Sequence, residues 1–392
     1  MATTTATRKI DVDSHFYPRI DQAELKDLLP KGMLAEAKDM LWRDAVRFVD
    51  PRGVRATIEK EASSPHLPSS ARYSVSARLP TPGEAAADPL RDPEERVKAL
   101  GQLGFDMQVL LPDGIFAFRP YGNSPSGGDL PLEIRLALCR LYNNAASAAQ
   151  KRFPGQLIGV AIVPFDDIEL SCEELRRAVS ELGLHGVVIP GNWMGKNFDA
   201  IELYPFWKTV NDLDITCMVH HLPMGCRAEP VIDHTAHYPI IGMERMRRLH
   251  IATYVGFGLE YVMACTALTL GGVLDEFLNL RFCFFEAGGS WLLYAMYGAD
   301  RSFLIEPQCA RTATLPSDLM RKHCFTAIEP MEHVAELVAA IGSENFFFGT
   351  DFPHPEYEAF QGTAAAIETR EGLSPQDKAN ILGGNITRLL KI

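Results

Sequence analysis

The sequence has no excess of basic residues and no hydrophobic run long enough to span a membrane. Its 392 residues include 50 acidic and 38 basic side chains, a formal net charge of −12, so it lacks the basic surface that nucleic-acid binding requires. The longest apolar stretch, about 261–274, is too short for a bilayer and contains Thr and Gly, which indicates a buried helix. The composition therefore argues against nucleic-acid and membrane partners.

The sequence also lacks a secretion signal, a paired-cysteine motif and a nucleotide fingerprint. Residues 1–9, MATTTATRK, are polar and have no apolar core of the kind found in signal peptides. The eight cysteines are dispersed without a C-x-x-C pair, which argues against a disulfide framework. No GxGxxG or GxxxxGK motif follows a predicted strand. We expect a cytoplasmic protein with reduced cysteines and no bound nucleotide.

Eight short, β-rich runs alternate with segments of helical periodicity. Most of the runs are continuously apolar, as in parallel strands that are covered on both faces. The predicted strands are 9–13, 106–112, 157–164, 185–190, 214–220, 281–286, 323–328 and 345–351. The predicted helices include 93–104, 130–153, 172–183, 332–342 and a closing helix that begins at Ser374 and Pro375. This pattern predicts an α/β protein with a (β/α)8 barrel of the TIM type, with a doubly wound open sheet as the alternative.

One segment, 44–92, interrupts the repeat. It is rich in Pro, Ser and Ala and shows little periodicity. It follows the first strand, on the side where such a barrel carries its functional loops. We predict a single domain over 1–392 in which 44–92 is an inserted excursion, either a plain surface loop or a lid over the substrate. Arg72 and Arg78 in this excursion are candidates for binding an anionic group of the substrate.

Side chains of the metal-ligand type lie at the ends of four predicted strands, as the last residue or shortly after it. They are Asp13 with His15, His220 with His221, Glu286, and Asp351 with His354. Taken singly, each has a structural explanation, as a turn residue, a core histidine or a member of an ion pair. Because a buried carboxylate without a partner is costly, the convergence of carboxylates and imidazoles favours a divalent cation such as Fe, Mn or Zn.

These motifs resemble the amidohydrolase superfamily, and most of all its branch with aminocarboxymuconate-semialdehyde decarboxylase and the resorcylate decarboxylases. The resemblance covers nearly the whole chain and includes IDVDSH, GVAIVP, LGLHGVVIP, FFFGTDFPH and ILGGNITRLL. It implies a (β/α)8 barrel with metal ligands among Asp13, His15, His220 and Asp351. It also implies a small-molecule substrate and a homodimer.

Two positions depart from the pattern of this branch. Asp13 stands where most relatives have histidine, and Glu286 stands where the decarboxylases and hydrolases usually have the histidine that polarises or protonates substrate. Both changes add carboxylate to the site. In this respect the chain resembles the dinuclear non-haem iron hydroxylases of the superfamily, which implies two Fe ions, or Fe and Mn, bridged by Glu286 or Asp351.

Our first hypothesis is therefore an O2-dependent monooxygenase that hydroxylates a small organic substrate bearing a carboxylate. The alternative is redox-neutral: a single Zn or Mn ion supports decarboxylation or hydrolysis of an aromatic or unsaturated carboxylic acid, with Asp351 as general base. A third hypothesis, a catalytically silent scaffold, conflicts with the intact ligand set.

The candidate catalytic residues are Glu286, Asp351 and His221. The further candidate metal ligand is His354, and the candidate substrate-binding residues are Arg72, Arg78, Trp291 and His237.

Overall fold

The computed structural model describes residues 8–39, 89–118, 120, 130–220, 241, 253–353 and 362–392. Within these residues every segment predicted as a strand contains one. The strands are β1 (Ile10–Asp11, continuing as His15–Phe16), β2 (Met107–Pro112), β3 (Leu157–Gly159, continuing as Ala161–Ile162), β4 (Gly186–Ile189), β5 (Thr216–Val219), β6 (Phe282–Phe284), β7 (Cys324–Ile328) and β8 (Phe346–Phe348). All of their residues are buried, as the continuous apolar runs predict.

The strands form a closed barrel. Each strand pairs in parallel with the next one along the chain. The ring closes where the Val12 amide donates to the Phe348 carbonyl (3.2 Å) and the His15 amide donates to the Phe352 carbonyl (2.7 Å). Closure confirms the predicted (β/α)8 barrel and excludes the open sheet. It also places the carboxyl ends of all eight strands at one mouth.

Helices follow the strands in turn. They are α1 (Gln22–Leu28), α2 (Pro93–Leu103), α3 (Ile115–Phe118), α4 (Leu132–Arg152), α5 (Ile168–Ser180), α6 (Tyr204–Leu213), α7 (Gly258–Leu270), α8 (Val273–Glu276), α9 (Ser290–Ile305), α10 (Pro316–His323), α11 (Val334–Ile341), α12 (Ala365–Glu368), α13 (Pro375–Ala379) and α14 (Asn385–Leu390). Short 3₁₀ turns lie at Ile201–Leu203, Pro307–Cys309 and Ser343–Asn345, and π turns lie at Thr253–Phe257 and Asn380–Gly384. Across the described part of the chain, no helix is both long enough and apolar enough to cross a membrane.

The predicted closing helix is interrupted. It begins as expected, because Ser374 and Asp377 form a reciprocal capping box. A π turn then separates α13 from α14, and Gly383 leaves helical geometry there. A Cβ on Gly383 would lie 1.9 Å from the Arg8 carbonyl oxygen, so this glycine lets the closing segment lie directly against the chain that leads into β1.

Asp11 holds the closing strands together from inside the barrel. Its carboxylate accepts hydrogen bonds from the Thr350 backbone amide (2.9 Å), the Thr350 hydroxyl (2.8 Å) and the Gln108 side-chain amide (3.0 Å). Burial raises the pKa of Asp11 to about 6, although these hydrogen bonds act to lower it. Asp11 lies one layer below the barrel mouth and binds its neighbours, so its role is structural.

Arg96 of α2 supports the end of β1 from behind. Its side chain is fully buried and donates hydrogen bonds to the Ser14 hydroxyl and to the His15 carbonyl oxygen. Its guanidinium also lies 5.6 Å from the centroid of the Phe352 ring, in the segment after β8 that helps to close the barrel. The segment that carries His15 is thus tied to a helix as well as to its neighbouring strands.

The packing between β8 and β1 gives a test of the closure. A Cβ on Gly349 would lie 2.2 Å from the Asp13 Cβ and 2.8 Å from its backbone nitrogen. Gly349→Ala is therefore expected to lower the free energy of unfolding by roughly 1–3 kcal/mol, because the two strands must separate. Chemical denaturation measures the change.

The control is Gly101→Ala in α2, where a Cβ meets nothing within 4 Å. This variant is expected to be unchanged or more stable by up to about 1 kcal/mol. A Gly349→Ala protein as stable as the Gly101→Ala protein would contradict the described contact between β8 and β1.

Candidate metal centre

The end of β1 places Asp13 and His15 at the barrel mouth. Both side chains are almost fully buried. His15 Nδ1 lies 3.2 Å from the Pro112 carbonyl, which can only accept, so Nδ1 carries the proton of the neutral ring. In this neutral form His15 Nε2 turns a lone pair towards the mouth, 3.6 Å from Asp13 Oδ1; in the protonated form the same nitrogen carries a proton and the ring is positively charged. Asp13 Oδ1 is buried and accepts no hydrogen bond from the residues that the structure describes.

His220 and Glu286 follow the neighbouring strands β5 and β6. His220 Nε2 lies 3.2 Å from Glu286 Oε1, and His15 Nε2 lies 3.5 Å from the same oxygen. The His220 ring lies nearly parallel to the Phe285 ring at a centroid distance of 6.1 Å. It meets the His15 ring edge-on at 5.2 Å. Aromatic contacts therefore orient an imidazole towards the carboxylate of the next strand.

These four residues form a compact donor set. One nitrogen or oxygen from each of Asp13, His15, His220 and Glu286 lies within 4.8 Å of the others, the one such group of three or more residues found in the described part of the chain. Two imidazole nitrogens and two carboxylate oxygens are donors that suit Mn²⁺, Zn²⁺ or Fe²⁺. The buried Asp13 oxygen without a hydrogen bond fits a cation at this position.

Asp351 lies beside the donor set rather than within it. Its Oδ1 is 3.0 Å from His15 Nε2, and its side chain is 15% exposed. Its backbone amide donates to the Asp13 carbonyl at 2.9 Å. Asp351 has φ +61° and Glu286 has φ +54°, both in the left-handed region that costs a non-glycine residue free energy. The barrel thus holds two acidic residues at its mouth in unfavourable backbone conformations.

Charge and burial oppose each other in this cluster. Burial raises the pKa of Asp13 well above its ordinary value; the His15 charge lowers that pKa, while Glu286 and Asp351 raise it further. Burial also raises the pKa of Glu286, but the positive charges of His220 and His15 outweigh burial and hold it well below its ordinary value. Burial lowers the pKa of His220, but the Glu286 carboxylate raises it by more, so the pKa of His220 lies above its ordinary value. A bound cation would offset the repulsion among the carboxylates.

Glu329 is a further acidic residue at the mouth that the sequence analysis missed. Burial raises its pKa to about 7, with added repulsion from Glu332, Glu286 and Asp351. The sequence contains the signal for this residue, because Glu329 directly follows β7 just as Glu286 ends the predicted sixth strand. A strand-end search applied to every strand would have found it.

Trp291, a predicted substrate-binding residue, packs between helices and barrel. It belongs to α9 and is only 8% exposed. Its Nε1 donates to the Thr326 hydroxyl at 3.2 Å, and its ring packs against Phe284 and Tyr261 at 5.1 and 5.6 Å. Both its polar atom and its ring are thus engaged in packing between helices and barrel, which argues against direct contact with substrate.

The other predicted site residues lie outside the described residues. They are His221, His237, His354, Arg72 and Arg78, together with 44–88 of the inserted excursion. The seven cysteines in the described part of the chain are all free, and Cys226 lies outside it.

Fold and site define a (β/α)8 barrel with a mixed imidazole and carboxylate cluster at its mouth. The sequence model of the amidohydrolase family matches residues 10–392. The chain therefore belongs to the amidohydrolase family, as the resemblance predicted.

Several similar proteins of known name are decarboxylases. The 2-amino-3-carboxymuconate-6-semialdehyde decarboxylase of Dictyostelium discoideum is 28% identical over 302 residues, 76% of each chain. The gamma-resorcylate decarboxylase of a Polaromonas species is 27% identical over 272 residues, 64% of this chain and 76% of the relative. The crystal structure of a Polaromonas dihydroxybenzoic acid decarboxylase, with bound manganese and 2-nitroresorcinol, has a TM-score of 0.64 at 18% identity and covers 98% of this chain and 97% of that one.

The hypothesis of a dinuclear iron monooxygenase is wrong. These two relatives are named as decarboxylases, and the similar decarboxylase structure contains bound manganese. The error lay in interpreting the extra carboxylates at Asp13 and Glu286 as a sign of oxygen chemistry. Hard oxygen donors suit Mn²⁺ as well as iron, so donor type alone does not distinguish redox from redox-neutral reactions.

The raised pKa of Glu329 predicts a pH-dependent stability. Its folded-state pKa of about 7 exceeds the ordinary 4.5, so its contribution to stability is complete below about pH 4.5 and is lost as pH rises through 7. Glu329→Gln replaces the ionisable carboxyl group with a neutral amide and so removes this loss of stability at higher pH. In metal-free protein, the variant is expected to gain stability over the wild type between roughly pH 5 and 8, by at most about 3 kcal/mol, measured by urea unfolding.

Glu336→Gln provides the control, since Glu336 is an exposed residue of α11. Its stability difference from the wild type is expected to stay within about 0.5 kcal/mol across the same pH range, because its ionic contact with His333 is an exposed pair. A flat difference for Glu329→Gln as well would show that the Glu329 carboxyl is not buried among the other acids.

Proposed function

We propose that the protein is a metal-dependent enzyme that decarboxylates an aromatic or unsaturated carboxylic acid without a change of redox state. The observation that carries this proposal is the four-residue donor set at the barrel mouth, with Asp351 beside it. The decarboxylases among the similar proteins support it. Hydrolysis at the same metal is the alternative, because the donor set suits either reaction.

Asp13, His15, His220 and Glu286 are the proposed ligands of a divalent ion, Mn²⁺ or Zn²⁺. His15 is prepared for this role because its Nδ1 faces the Pro112 carbonyl and leaves Nε2 for the ion. The resident ion would act as a Lewis acid that binds the oxygen atoms of the substrate. Glu286 is thus proposed as a ligand rather than as a substitute for the histidine that relatives use on substrate.

Asp351 is the proposed proton donor. When the carboxylate of the substrate leaves as CO2, the electron pair of the broken C–C bond stays on carbon, and that carbon must take up one proton. Asp351 is partly exposed and lies outside the four-residue donor set, so its carboxyl group can give a proton to carbon and regain one from solvent. The expected general base thereby becomes a general acid in decarboxylation.

The inserted excursion 44–92 is proposed as a lid, with Arg72 and Arg78 as ligands for a second anionic group of the substrate. Its position in the sequence, after the strand that carries Asp13 and His15, supports this role.

The proposed reaction predicts CO2 release that depends on metal. Protein loaded with Mn²⁺ or Zn²⁺ is incubated with 2,6-dihydroxybenzoate, 5-carboxyvanillate and related unsaturated acids, and CO2 is measured. Chelation is expected to abolish release, and added metal is expected to restore it. Asp351→Asn is expected to lower kcat at least 100-fold while the metal content stays unchanged, because proton delivery is lost and the ligands remain.

Asp212→Asn, a change on the exposed surface of α6, is the control and is expected to behave as the wild type. Metal-dependent release of a product other than CO2 from esters or amides would favour the hydrolase. Full activity in Asp351→Asn would remove Asp351 from the proposed role.

We also propose that the protein is a homodimer that buries one side of α9. This side carries large apolar residues that are mostly exposed in the single chain. They are Leu293 (40%), Tyr294 (64%), Tyr297 (68%), Leu304 (71%) and Ile305 (59%). A helix that is apolar on its outer side as well as its inner side is typically buried, and contiguous apolar patches of this kind mark protein interfaces.

The dimer predicts a size change in a charged variant. Tyr297→Lys with Leu304→Lys is expected to convert a dimer to a monomer in light scattering, since burying two lysines in an apolar interface is costly. Glu173→Lys, an exposed change on α5, is the control and is expected to leave the dimer intact. A monomeric wild type would contradict the proposal.

A further inference from the structure

Glu332 joins the loops that follow β6 and β7. Its Oε2 accepts hydrogen bonds from the Gly289 amide (2.8 Å) and the Glu329 amide (3.0 Å). Its Oε1 accepts from the Ser290 amide (3.0 Å) and the Ser290 hydroxyl (2.6 Å). Both oxygens are therefore engaged, and three of the four donors belong to the segment just after Glu286.

This carboxylate acts as a helix cap that comes from another loop. Ser290 is the first residue of α9, and Gly289 before it has no side chain to cap the helix. The first amides of a helix lack partners within the helix and carry partial positive charge. Glu332 satisfies two of these amides with a negative charge from the neighbouring strand end.

The capped segment is also the turn that sets the conformation of Glu286. Glu286 has φ +54° and Gly288 has φ +64°. The Gly288 carbonyl accepts from the Thr326 hydroxyl at 2.9 Å, and a Cβ on Gly288 would lie 2.6 Å from the carboxyl carbon of Glu332. A glutamate with its backbone in the left-handed region is unfavourable by itself, so surrounding contacts must hold the turn in this conformation. Glu332 and Thr326 supply such contacts from the β7 side.

We infer that Glu332 is a positioning residue of the metal centre: it holds the turn after β6 so that Glu286 presents its carboxylate to the ion. The inference rests on the proposed function, in which Glu286 is a ligand. Glu332 is not itself a member of the four-residue donor set. It acts through the backbone, as residues behind metal ligands commonly do.

A role as a plain helix cap makes a different prediction. A cap that serves only stability changes the unfolding temperature of the metal-free protein and leaves metal binding unaltered. A positioning residue also changes the affinity for the ion and the geometry around it. The absorption spectrum of bound Co²⁺ reports that geometry directly and does not depend on turnover.

The experiment compares Glu332→Ala, Glu332→Gln, Glu286→Gln and the wild type. Mn²⁺ affinity is measured by calorimetry, coordination by the Co²⁺ spectrum, and stability by thermal unfolding of metal-free protein. Glu332→Ala is expected to weaken Mn²⁺ binding roughly 10-fold or more and to alter the Co²⁺ spectrum. Glu332→Gln is expected to lie between Glu332→Ala and the wild type, because its single carbonyl oxygen keeps part of the acceptor capacity.

Asp167→Ala is the matched control. Asp167 caps α5 through the Leu170 amide at 3.0 Å and is not a member of the donor set, so its loss is expected to lower the unfolding temperature without changing Mn²⁺ affinity or the Co²⁺ spectrum. If Glu332→Ala behaves like Asp167→Ala while Glu286→Gln weakens binding, the positioning role is wrong and the proposed ligand stands. If Glu286→Gln leaves binding unchanged, or the wild type binds neither ion, both the proposed ligand and the positioning role are wrong.

Discussion

The hydrogen bonds that close β8 onto β1 are the constraint on which the rest of the structure depends. They bring Asp351 next to Asp13 and His15, residues that are more than 300 positions apart in the chain. The close approach requires a glycine at position 349, and Asp11 and Arg96 reinforce it from inside and behind. Without closure, the ionisable strand ends would be scattered along an open edge.

Closure creates an electrostatic problem that the site must resolve. Three carboxylates meet two imidazoles at the barrel mouth, and most of these side chains are buried. Mutual attraction lowers the pKa of Glu286 and raises that of His220, while Asp13 stays difficult to ionise. A divalent ion would offset this imbalance. Structure and proposed chemistry thus follow from one arrangement of charges.

The error of the sequence analysis has a physical cause. Oxygen chemistry was inferred from carboxylate donors, but the same donors bind redox-neutral ions, so the composition of the ligand set does not select the reaction. The environment of Trp291 likewise became visible only in the fold, where its side chain in α9 packs against Phe284 and Tyr261. The direction of a side chain on a helix depends on what the helix packs against, and that is decided by the fold.

The sequence by itself determined the eight buried strands, the barrel class and the residues that follow four strand ends. It did so because both features are local: apolar runs mark strands covered on both faces, and a polar residue directly after such a run is visible in the sequence. Only the tertiary structure decided that Asp13, His15, His220 and Glu286 share one small volume, that Glu329 is partly buried where Glu286 repels its charge, and that Glu332 accepts a hydrogen bond from the segment after Glu286. These are contacts between distant segments, and distances across a barrel exist only once the ring has closed.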